Sequence, residues 1–167
     1  DLARAMDSVV LMKDMSELAV DLAYGAVLFD SQPVAEEVSE LEVEMDALKS
    51  RLEAWALRAA AAVEEPVELR GLFHLAAATE VISDAALEIA EGVLRGIDAH
   101  PVVAAAVQES DEVIVRVVVG ETATLAGRSL GEQAVQTETG MRIIAVRRAD
   151  GWVVQPDATT TVSAGDV

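Results

Sequence analysis

The sequence predicts a two-domain chain of mixed class, an antiparallel three-helix bundle followed by a small α/β sheet domain. Two observations predict it. Apolar residues recur at spacings of three and four through the first hundred positions, and short β-branched runs broken by glycines replace them after His100 and Pro101. The boundaries read as a bundle over 1–98, a linker over 99–111 and a sheet domain over 112–167. With 167 residues the chain holds two small domains comfortably, and the second is near the size where a domain folds alone only marginally.

The first helix is expected from about Leu2 to Phe29, on the stripe Met12, Met15, Ala19, Leu22, Ala26 and Phe29. Asp30 to Pro33 breaks it, and the proline suits the first turn of the next helix. That second helix carries a sustained heptad of Val34, Val38, Leu41, Met45, Leu48, Leu52, Trp55 and Ala59. Glu65 and Pro66 repeat the break. The third helix is read with Leu72, Leu75, Thr79, Ile82, Ala86, Ile89 and Val93 toward the core, weakening at Gly92 and Gly96. His74 is placed near its core side. Helices of about 30 residues are about 45 Å long at 1.5 Å per residue.

In the second half, Val113 to Val119 reads as a strand ended by Gly120. Ala126 to Glu132 reads as a turn opening a short helix, with Ser129 as its cap and Glu132 as the capping-box partner. Met141 to Arg147 and Trp152 to Gln155 form an expected hairpin across Ala149, Asp150 and Gly151. Thr161 to Val167 is read as a turn leading into a strand, so the sheet is expected to lack its last strand and the terminus to be premature.

The charge excludes several functions. Thirty acidic residues face twelve basic ones, a net charge of -18, and residues 1–98 hold 21 of the acids and 7 of the bases. Such a surface repels phosphate backbones and anionic lipid, so neither nucleic acid binding nor direct membrane insertion is expected. The balance suits a halophilic protein, in whose salt-loaded cytoplasm short-range screening quiets carboxylate repulsion. With no cysteine there are no disulfides, which fits a cytoplasmic chain. No apolar run reaches the ~20 residues of a membrane span. Two histidines, no cysteine and no phosphate loop argue against an enzyme.

The informative residues are paired carboxylates. Glu80 and Asp84 stand four apart on the third helix, and Glu42 and Asp46 four apart on the second, so each pair lies on one helix face. Like charges so placed repel unless something positive lies between them, and two such pairs on adjacent helices offer oxygen ligands to a divalent cation. Glu36, Glu37, Glu40 and Glu44 are read as solvated surface charge.

Glu80, Asp84 and the tail Ile89 to Glu91, with Glu42 and Asp46 before them, make residues 1–98 resemble a PhoU domain, a three-helix repeat. The resemblance implies a metal surface of divalent, iron or zinc type on Glu42, Asp46, Glu80 and Asp84, and regulation of a membrane transporter. Val81 and Glu88 depart from the family's usual arginine and asparagine, and one repeat stands where phosphate-signalling members have two. A homodimer would rebuild the six-helix form.

Gly127 to Glu132, Ile143 to Arg147, Pro156 and Thr161 to Asp166 resemble a TrkA C-terminal domain, also called the RCK C-terminal domain, over 102–167. That resemblance implies a dimerising module on the cytoplasmic side of potassium channels and transporters, in some members holding a cyclic dinucleotide. Gly127, Arg128 and Ser129 form the candidate ligand site, where helix-start N–H groups would hold an anion. No Gly-x-Gly-x-x-Gly precedes this half, so no NAD is expected. Together these readings make a cytoplasmic regulator of cation transport, potassium foremost, peripheral at the inner membrane face through a channel or transporter. A metal-dependent phosphate-uptake regulator and a dimerisation scaffold without ligand are the alternatives.

Overall fold

The computed structural model describes residues 1–97, 102 and 113–167, which fall into two compact units, Asp1–Ile114 and Val115–Val167. The expected break at His100 and Pro101, and the linker apart from Val102, lie outside the described residues.

The first unit packs three helices, α1 (Leu2–Leu28), α2 (Gln32–Ala60) and α3 (Arg70–Leu94), each against the other two. Their ends follow the local chemistry. Asp30 takes a left-handed φ of 47° just past α1, and the N–H of Ser31 reaches back to the Ala26 carbonyl at 2.9 Å. Pro33 lies in the first turn of α2, where a missing N–H is harmless. Pro66–Leu69 forms a 3₁₀ turn that leads into α3. The α1 and α2 stripes pack as their spacing predicts, and Met12, Met15, Leu41, Met45 and Leu52 lie fully buried. Phe29 and Trp55 are only half-buried at the ends of those stripes. Methionine fills irregular gaps, which lets a core with few aromatics close. Within this unit Gly25 of α1 admits Ile114: a methyl group there would lie 3.1 Å from Ile114 Cδ1.

Helix α3 keeps Thr79, Ala86 and Val93 of its expected stripe inside but is turned in part from the expected orientation. Its buried residues are Ala76, Thr79, Ser83, Ala86, Ala90 and Val93, whereas Leu75, Ile82 and Ile89 are 54%, 44% and 37% exposed. Two heptad stripes overlap on this helix, and the one of small residues faces inward because short side chains let α3 approach α1 and α2 closely. His74 turns outward with that rotation. Glu37, expected at the surface, is only 6% exposed, since it sits beside Val38 on the packed face of α2.

The second unit is thin. Strand β1 (Arg128–Ser129) pairs antiparallel with β4 (Thr161–Val162), and β2 (Ala145–Arg148) with β3 (Gly151–Val154) through the predicted hairpin, Arg148 opposite Gly151. Val167 exchanges both backbone hydrogen bonds with Arg147, at 2.8 and 3.0 Å. A five-residue helix, α4 (Val135–Thr139), lies between β1 and β2. Residues 113–120 form no strand, although Val119 bonds the backbones of Gly165 and Asp166. Their β-branched composition favours extended backbone, but a strand also requires a partner along its length.

Among the described residues no helix is long and apolar enough to cross a membrane.

Candidate functional site

Helical periodicity sets Glu42, Asp46, Lys49 and Glu53 along one side of α2, at steps of four, three and four. The Nζ of Lys49 bonds Glu80 Oε2 of α3, fixing that side of α2 against the Glu80 and Asp84 pair. Asp46, Lys49, Ser50, Glu53 and Glu80 line a shallow surface hollow between the two helices.

The electrostatics show that the four predicted carboxylates share one field. Burial pushes the Glu42 carboxyl above its ordinary value, and the charges of Asp46, Asp84 and Glu80 add to the rise. The hydrogen bond to Glu80 raises the Lys49 ammonium above its usual value against the opposing effect of burial, with Glu80, Glu53 and Asp46 assisting. Sequence reasoning found the acids and missed the lysine. The signal was available, because Lys49 is the sole lysine of α2 and lies one heptad from Glu42.

All four acids are hard oxygen donors of the kind that a divalent cation takes. Among the described residues, however, no three Asp, Glu or His side chains are grouped so that they could hold a metal ion. Glu80 is engaged by Lys49 instead. The ridge therefore neutralises itself in part, and a cation would gain Glu80 only as Lys49 leaves.

In the second unit the capping-box bonds predicted for Ser129 and Glu132 form. The Ser129 N–H donates to Glu132 Oε2 at 2.9 Å, and the Glu132 N–H donates to Ser129 Oγ at 3.2 Å. They close a turn rather than start a helix, since α4 begins only at Val135, after Ala134 in a left-handed conformation. The Ser129 N–H, with the hydroxyl, holds the Glu132 carboxyl below its usual range. Neighbouring donors are also engaged inside the chain, Gly127 to Val162 O at 2.7 Å, Leu130 to Thr160 O at 2.9 Å and Gly131 to Ala158 O at 2.8 Å. At Gly127, Arg128 and Ser129 the exposed Arg128 side chain is thus the group an anion would meet first.

Two further polar residues carry this unit; the sequence places Asp166 in a turn with Gly165 and marks no role for Asp157. Asp157 Oδ1 accepts from the N–H groups of Thr159 and Thr160 and from the Thr159 hydroxyl, which holds its carboxyl low. Asp166, nearly buried, accepts from the Ser163 N–H at 2.8 Å and lies 3.5 Å from Arg148 Nε. Arg148 also donates to the Thr161 carbonyl, linking the hairpin to β4.

Comparison with known families matches residues 9–93 to the PhoU domain and residues 114–167 to the TrkA-C domain. No curated protein matches the chain. The first match takes in all of α2, most of α1 and nearly all of α3, including the carboxylate ridge, and the second takes in the four strands of the described residues. The chain belongs to the PhoU domain family, and it joins that helical domain to a TrkA-C domain.

Proposed function

We propose that this protein is a cytoplasmic regulatory subunit of membrane cation transport, with potassium the foremost ion, and that it acts without catalysis of its own. The observation that carries this reading is the presence of a PhoU domain and a TrkA-C domain in one chain, since both belong to regulatory families. The α2–α3 ridge is the proposed sensor. Since no three of its carboxylates are grouped to hold a metal ion as folded, a divalent cation would have to draw Glu42, Asp46 and Asp84 together and displace Lys49 from Glu80, and occupancy would thereby bias one arrangement of the protein over another. The TrkA-C domain would carry the response to a channel or transporter at the inner membrane face, with Arg128 available to an anionic ligand such as a cyclic dinucleotide.

The test is a disruption strain in which rubidium uptake, standing in for potassium, and phosphate uptake are measured side by side. Altered rubidium uptake with normal phosphate uptake supports the reading. Altered phosphate uptake alone transfers the role to phosphate control, and no change in either leaves a scaffold. Calorimetry with manganese or magnesium tests the sensor. Lys49→Gln should bind more tightly than the parent chain and Asp84→Ala more weakly; equal binding by all three removes the ridge from the mechanism.

A further inference from the structure

Helix α1 contains a glycine that serves a contact rather than a turn. Gly25 is buried and keeps the helical conformation, without the left-handed φ that calls for glycine at Gly96, Gly127 or Gly140. A glycine inside a helix is less stable than alanine there, so its use at this position is steric. The missing side chain leaves a notch that Ile114 fills: a methyl group at Gly25 would lie 3.1 Å from Ile114 Cδ1 and 3.2 Å from Ile114 Cβ. Among the described glycines only Gly131 is met as closely.

Ile114 stands apart from the run that follows it. Val113, Val115, Val117 and Val118 are each more than half exposed, whereas Ile114 is half-buried. At the far end of the run the backbone of Val119 is held, its N–H donating to the Asp166 carbonyl at 2.8 Å and its carbonyl accepting from the Gly165 N–H at 2.8 Å. The run is therefore fastened twice, by a side chain seated on α1 and by backbone bonds in the second unit. The matched TrkA-C domain begins at residue 114, yet Ile114 packs within the unit Asp1–Ile114. By packing, the first residue of that domain belongs to the helical unit.

We infer that Gly25 and Ile114 form a clasp, a seat on α1 that holds the start of the TrkA-C domain and opens to release it. One half-buried isoleucine is a light hold, so the seat opens without unfolding the helices around it. The clasp supplies the two arrangements, seated and released, that a regulator needs, and it stands or falls apart from any transport role or bound cation.

Disulfide trapping in the whole chain tests it, because the chain has no cysteine of its own. Gly25→Cys with Ile114→Cys sets two Cβ atoms within a few tenths of an ångström of the ~3.5–4.5 Å that a disulfide spans. This pair should close several-fold faster than Gly25→Cys with Val117→Cys, read by free-thiol titration and by mobility on a non-reducing gel. Opening the clasp should be felt at the other fastening. Ile114→Gly should speed hydrogen exchange at the Val119 and Gly165 amides several-fold and leave the middle of α2 unchanged. Gly25→Ala should lower the melting temperature of the parent chain, where it pushes against Ile114, and raise it in an Ile114→Gly background, where alanine's better helix propensity acts unopposed. Equal oxidation of the two cysteine pairs, amides indifferent to Ile114→Gly, or the same shift from Gly25→Ala in both backgrounds would overturn the proposal.

Discussion

The two units are held together by different means. Among the described residues, Asp1–Ile114 contains nearly all the buried apolar side chains, whereas Val115–Val167 buries only Val146 and Val162 of that kind and relies on carboxylates that tie its turns. Core packing tolerates a surface rich in repelling acids because its favourable term is area removed from water. A thin sheet has little such area, so each satisfied N–H there counts for more.

The largest effect that can break this contrast is expected at the centre of the bundle. Leu41→Ala should lower the stability of the first unit by about 2–5 kcal/mol, while hydrogen exchange in the hairpin of the second is unchanged. Next comes Gly131→Ala. A methyl group there would lie 2.8 Å from the Ala158 carbonyl oxygen, backbone that cannot swing aside. About 1–3 kcal/mol of loss, confined to the second unit, should appear in denaturant melts followed by exchange of its amides. Ser83→Ala sharpens the comparison from the other side. Its hydroxyl is buried in the bundle without a hydrogen-bond partner, so its removal should stabilise the first unit by about 1 kcal/mol in a chemical melt.

The smallest effect is one of pH, and its sign differs between the units. Glu42 has a folded pKa above its ordinary 4.5, so the native state holds its proton more tightly, and the charged form costs stability as pH rises from 4.5 through that raised value. Glu132 and Asp157 are lowered from 4.5 and 3.8, so their contribution is complete above those values and is lost as pH falls through the lowered ones. Acidification from neutrality toward pH 4.5 should therefore firm the bundle slightly and leave the sheet unit unchanged, and only stronger acid should loosen its turns. Glu42→Gln should raise the melting temperature at pH 7 and do nothing near pH 3.

Much of this was legible in the sequence, and the exceptions have a common cause. Proline and aspartate at Asp30–Pro33 and Glu65–Pro66 marked the helix ends because their effect is local. Glycine marked the hairpin for the same reason. The core face of α3 was legible only in part: Thr79, Ala86 and Val93 are buried as expected, but Leu75–Ile82–Ile89 and Ala76–Ser83–Ala90 have equal periodicity and only packing against α1 and α2 chooses between them. Ser129 and Glu132 announced their mutual bonds but not that the chain would turn rather than coil after them. Val113–Val119 announced an extended backbone without announcing a partner. At the ridge, residue type and spacing located the four acids, while the contact between Lys49 and Glu80 depends on how α2 and α3 pack.

That lysine changes the character of the ridge. An ammonium carried by the protein itself neutralises Glu80 from within, so the charge that Glu42, Asp46 and Asp84 present to solvent is set by how α2 and α3 pack before any solute arrives.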